Sequence, residues 1–126
     1  DNSKKEVIIK KKFNLKNFQM DTSINSSTMI LKRSIIGLTK FKKINLLEDY
    51  LFKCDLLKKD ITAYNVNSSL AFYRIYSNSR SNSKFKNIYW LWIVNKRYNK
   101  LNFLKNTFFL FLSIINSIKK YGFKKY

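Results

Sequence analysis

Apolar positions recur with a helical period most clearly between residues 41 and 61. Ile44, Leu47, Leu51, Cys54 and Lys58 fall on one stripe, and Leu46, Tyr50, Leu57 and Ile61 widen it into an apolar face. Asp49 with Lys53, and Asp55 with Lys59, stand at i,i+4 in the favourable acid-first order. The pattern predicts a helix over 41–61 with Cys54 inside its apolar face, where a thiol acts as a small buried hydrophobe. Phe108 to Ile118 is apolar apart from Ser113, Asn116 and Ser117, which predicts a helix over 106–118. A shorter helix is expected over 69–76, capped by Ser68 or Ser69 and carrying Leu70, Phe72, Tyr73 and Tyr76.

Other stretches read differently. Ile88 to Val94 is seven apolar residues rich in aromatic and β-branched types, which suits a strand or an extended segment laid against a partner. Ser77 to Lys84 is polar throughout and reads as an extended loop. Residues 1–34, with Lys4-Lys5 and Lys10-Lys11-Lys12 around Val7-Ile8-Ile9 and a Ser/Asn/Thr stretch after Asp21, read as a weakly structured basic arm. The expected fold class is therefore mainly α with long extended segments and little independent core. Residues 1–40 form a basic extension, partly disordered or folding on RNA, and residues 41–126 form the binding region.

Charge changes the picture. The net charge is +19, and all seven carboxylates lie in the first 60 residues. From Ile61 to Tyr126 there are twelve Lys and Arg and no acid, a surface that self-repels unless a polyanion supplies the missing sign. The abundance of Lys, Asn and Ile beside few Gly, Ala, Arg and no Pro matches A/T-rich codons, but codon bias does not remove Asp and Glu. RNA is the expected polyanion, with an acidic membrane surface as the competitor. The Phe108–Ile118 run is too short to span a bilayer, which takes about 20 apolar residues, though a helix lying in the interface fits.

Candidate chemistry is sparse. One cysteine and no histidine exclude an internal disulfide, a structural zinc site and nucleophile–histidine catalysis. Glu48 and Asp49 are adjacent, but neighbours on a helix diverge by about 100° and do not share a face. No enzyme and no cofactor are expected. Residues 1–20 contain Glu6, no Arg and no apolar core of a signal sequence, so no leader is expected.

Ser79-Arg80-Ser81-Asn82-Ser83, the basic Lys86, the turn Asn95-Lys96-Arg97, and Asn116 in a run ending Lys124-Lys125-Tyr126 follow one another in an order and spacing that resemble small-subunit ribosomal protein family fourteen, in its zinc-free branch. The resemblance covers roughly 40–126, with the 41–61 helix in place of the family's basic helix. It implies a divergent mitochondrial version: a structural constituent of the small ribosomal subunit in the mitochondrial matrix, serving translation within a ribonucleoprotein. Its partners would be small-subunit rRNA and neighbouring ribosomal proteins, with no small-molecule substrate and no membrane. The RNA-binding residues expected are Arg74, Arg80, Ser81, Asn82, Ser83, Lys84, Lys86, Lys96, Arg97, Lys100, Lys105, Lys119, Lys120, Lys124 and Lys125. The alternatives are another ribosomal protein of either subunit, or a small basic membrane-associated accessory subunit of an organelle complex.

Overall fold

A computed structural model describes residues 6–66, 68–72 and 84–122. In chain order the elements are β1 (Lys12–Phe13), α1 (Leu15–Met20), a 3-10 turn (Ser26–Thr28), α2 (Arg33–Ile36), α3 (Glu48–Leu57), β2 (Ala63–Tyr64), α4 (Lys84–Arg97) and α5 (Phe103–Tyr121). The chain is mainly helical, with a single two-stranded ribbon among the described residues. In that ribbon β1 and β2 run antiparallel, pairing Lys12 with Tyr64 and Phe13 with Ala63.

α3 lies at the centre because its apolar residues Tyr50, Leu51, Phe52, Cys54, Leu56 and Leu57 are all buried, with Lys53 buried beside them. It is shorter than its periodicity predicts, for two backbone reasons. Leu47 adopts φ 64° and Asp60 φ 56°, left-handed conformations that a right-handed helix cannot contain. Leu47 and Ile61 still pack against the core, but from outside the helix. Asp49 pairs with Lys53 as the spacing predicts. Asp55 instead takes Lys42 and Lys58, each at 2.8 Å. Lys59 turns away to donate to the carbonyls of Ile35 and Ile36.

The core joins Phe13, Phe18, Tyr50, Leu51, Cys54, Leu57, Leu91 and Val94. Phe13 and Phe18 come from the segment expected to be a weakly structured arm. There Asn14 caps α1 by accepting from the Asn17 amide at 2.8 Å, and Phe18 is fully buried with its ring stacked on Tyr50 at 5.3 Å. Each such side chain removed from water contributes roughly 1.5–3 kcal/mol, so this chain has a core of its own.

The expected strand over 88–94 is helical. Its apolar residues are embedded in α4, where Leu91, Val94 and Asn95 turn to one buried face at 3–4 residue spacing and Phe85 and Tyr89 point outward. Asn95 accepts from the Tyr50 hydroxyl at 2.7 Å, which ties α4 to α3. Of the short helix expected over 69–76, residues 69–72 are not helical, and 73–76 lie outside the described residues. α5 begins earlier and ends later than predicted. Asn102 caps it through the Lys105 amide, and Gly122 at φ 78° ends it.

α5 packs on α4 and α1. Asn106 donates to the carbonyl of Trp92 at 3.0 Å, and Asn116 donates to the carbonyl of Met20 at 3.0 Å. Lys120 reaches the buried carboxylate of Asp21 and the hydroxyl of Ser23.

Candidate functional site

A polar cluster tied to more than one element sits at the amino end of α3. Leu47, in its left-handed conformation, sets the direction in which the helix starts. Glu48 and Asp49 occupy the first turn, where the helix dipole favours negative charge. Glu48 is exposed and Asp49 is half-buried. One helical turn later Lys53 carries its ammonium back over the Phe18 ring, 5.8 Å from the centroid, and is itself buried. It donates to Asp49 Oδ2 at 2.9 Å, to the Ser26 hydroxyl at 3.0 Å and to the carbonyl of Ile24 at 2.8 Å. Ser26 closes the cluster by donating to the same Asp49 oxygen at 2.9 Å. These contacts converge on Oδ2 and so fix the direction in which the carboxylate presents Oδ1.

Electrostatics at this cluster favour an ionised carboxylate. Burial acts to raise the pKa of Asp49, but the hydrogen bond and charge of Lys53, with the Ser26 hydroxyl, outweigh it and hold the carboxyl below its ordinary value. Behind it, burial pushes the Cys54 thiol up to about 11 and the Tyr50 phenol well above its usual range, so neither ionises at neutral pH. Cys54 is a buried core residue, as its place in the apolar stripe implies. Among the described residues no group of three His, Cys, Asp or Glu could hold a metal ion. Asp21 and Asp55 are engaged by Lys120 and by Lys42 with Lys58, respectively.

Of the residues expected to contact RNA, the described ones lie at separate places on α4, on α5 and in the turn between them. Arg74, Arg80, Ser81, Asn82, Ser83, Lys124 and Lys125 lie outside the described residues, and Lys84 opens α4. Lys86 is exposed near the start of α4. Lys96, Arg97, Lys100 and Lys105 are exposed around the turn from α4 to α5; Lys96 sits 5.1 Å over the Trp92 ring and Lys105 5.6 Å over that of Phe109. Lys119 and Lys120 are on the last turn of α5, about 21 Å along the helix from Lys105 at 1.5 Å per residue. Lys120 is committed to Asp21.

No family model matches this chain, and no solved structure matches it. A protein of Bacillus subtilis (strain 168), provisionally named the teichuronic acid biosynthesis glycosyltransferase TuaG, is 33% identical over 100 residues. The matched stretch is 79% of this chain and 40% of the relative, so this chain spans less than half of the relative's length.

That similarity overturns the ribosomal reading: the resemblance to small-subunit ribosomal protein family fourteen, the structural role in translation, the absence of enzymatic function, and rRNA and ribosomal proteins as partners in place of a small-molecule substrate. The physical reason lies in what carried that reading. Short Ser/Asn/Arg runs and Lys pairs arise readily in a chain this rich in Lys and Asn. An acid-free half reports affinity for anions in general, and phosphate on a small molecule or a lipid satisfies it as RNA does.

The members of the α3 cluster, Glu48, Asp49, Lys53 and Ser26, are not among the residues expected from the sequence to form a binding site. The signal available was the acidic pair at the predicted helix, with Lys53 at i+4; Ser26 is 23 residues away from Asp49 and carries no such signal.

Proposed function

We propose that this chain is part of a glycosyltransferase, moving a sugar from a sugar nucleotide to an acceptor hydroxyl, with Asp49 as the general base. The observation that carries the reading is the 33% identity to a protein named as a glycosyltransferase across 79% of this chain. The geometry at α3 supplies the matching chemistry. In the transfer, the acceptor oxygen bonds to the anomeric carbon while the bond from that carbon to the nucleotide phosphate breaks, and the hydroxyl proton passes to the base. A base for this step must be ionised, oriented and reachable. Asp49 is ionised, oriented through Oδ2 and half-exposed, while the ammonium of Lys53 that orients it also lowers its pKa and so weakens it as a proton acceptor. Glu48, its neighbour, is exposed with no fixed orientation from these contacts.

The test uses the complete gene product with a panel of radiolabelled sugar nucleotides and hydroxyl acceptors. Asp49→Asn is expected to lower transfer by about 10²–10⁴-fold, the usual share of a positioned general base, and Glu48→Gln to retain it. Transfer from none of the donors overturns the assignment of activity. Transfer by Asp49→Asn within about threefold of the unmodified protein overturns the assignment of the base.

A further inference from the structure

α5 has two faces, and only one is used within the fold. Asn106, Phe109, Asn116 and Lys120 recur at helical spacing and turn inward to α4 and α1. On the opposite side Leu104, Phe108, Phe111 and Ile115 recur at i+4, i+7 and i+11. Leu104 is 79% exposed, Phe108 56% and Phe111 60%. Phe103 is also exposed and meets Trp92 edge-on at 5.8 Å, with Lys96 over the other ring. Lys105 stands at the start of this apolar stripe and Lys119 at its end. Neither α4 nor α5 contains a carboxylate.

We propose that the outer face of α5 seats in the interface of an anionic lipid bilayer, lying in its plane. Three features select this occupant. The stripe is apolar but bordered by cations, which suits acyl chains below a layer of phosphate headgroups. The Phe103–Trp92–Lys96 edge combines aromatic rings with a cation, the composition favoured at headgroup depth. Among the described residues no helix is long and apolar enough to cross a membrane, so α5 can only lie along one. A second copy of the chain would bring another +19 charge and an equally acid-free face against this one. RNA would be met by cations on the face itself rather than by Leu and Phe. The inference stands apart from the assignment of Asp49, which lies on a different helix.

The purified chain is sedimented with vesicles of phosphatidylcholine alone and of phosphatidylcholine with phosphatidylglycerol. It is expected to pellet with the second and not the first, and Phe108→Ser with Phe111→Ser, which leaves the charge unchanged, to weaken binding at least about tenfold. A Phe108→Trp variant in which Trp90 and Trp92 are replaced by Phe, so that position 108 holds the sole tryptophan, is expected to be quenched by lipids brominated on their acyl chains. No pelleting with anionic vesicles overturns the proposal. So does an undiminished affinity of the serine variant, because charge alone then binds, and so does an unquenched Trp at 108. A dimer that the serine substitutions convert to monomer overturns it as well, because a second copy then covers this face.

Discussion

Replacing Lys53 by Met keeps the aliphatic stem against Phe18 and removes only the ammonium, so it isolates what the cluster at α3 is worth. Three hydrogen bonds are lost, to Asp49, Ser26 and the Ile24 carbonyl. They do not count equally. The Asp49 side chain is 46% exposed, so its ion pair is screened and contributes about 0.5–1 kcal/mol. Ser26 is exposed and exchanges its bond for one with water. The half-buried Ile24 carbonyl loses a charge-assisted partner, a cost of about 1–2 kcal/mol. Against these stands the relief of no longer burying an ammonium. The net loss is about 0.5–2 kcal/mol, and each kcal/mol lowers the melting temperature of a domain this size by about 4 °C. Urea unfolding followed by the fluorescence of Trp90 and Trp92 on α4 measures it. Combining Lys53→Met with Asp49→Asn in a double-mutant cycle is expected to show a coupling of about 0.5–1 kcal/mol. A loss under about 0.5 kcal/mol for Lys53→Met, or strictly additive single variants, would refute the view that Lys53 holds Asp49 in place.

Phe18→Ala removes a fully buried ring stacked on Tyr50 and is expected to cost about 3–5 kcal/mol; an unchanged urea midpoint would return Phe18 to the status of an arm residue. Acid should destabilise the fold through Asp49 and Asp55, in both of which burial acts to raise the pKa and Lys partners outweigh it and leave the pKa below the ordinary 3.8. The unfolded chain then takes up protons first, so the stability these groups supply is complete above that value and is lost as pH falls through the lower folded values. A urea midpoint that holds or rises as pH is taken from neutral to below about 4 would contradict the assignment.

Period explains what could be read in the chain and what could not. α3 was legible because its apolar residues repeat at 3–4 spacing over two turns or more, and α5 as a run over 108–118 that is apolar apart from Ser113, Asn116 and Ser117. The ends of α3 were not, because they depend on single backbone angles at Leu47 and Asp60, which no side-chain pattern announces. α4 was misread because apolar residues, all but Leu91 aromatic or β-branched, fill seven consecutive positions, and a run that is apolar on every side has no period to display. Phe13 and Phe18 have mostly polar neighbours, and Phe18 is buried because α3 and α5 pack on α1 rather than through local pattern. At the candidate site the Asp49–Lys53 pair was legible and its closure by Ile24 and Ser26 was not. Judging Glu48 and Asp49 by whether they share a face asked for a paired-carboxylate site, whereas one oriented carboxylate is enough for a base.

The clasp of Lys120 on Asp21 and Ser23, together with the bond from Asn116 to Met20, joins positions almost a hundred residues apart. During synthesis α1 therefore emerges long before the helix that covers it. Until α5 has been made, Asp21 has no Lys120 beside it, and Phe18 is shielded only where α3 reaches it. Closing so long a loop is a late event, and the entropy of closure must be met before its contacts count in favour of the fold. A nascent chain that has completed α3 but not α5 is half-assembled, with apolar surface available to chaperones or to aggregation. Burial of α1 thus waits on α5.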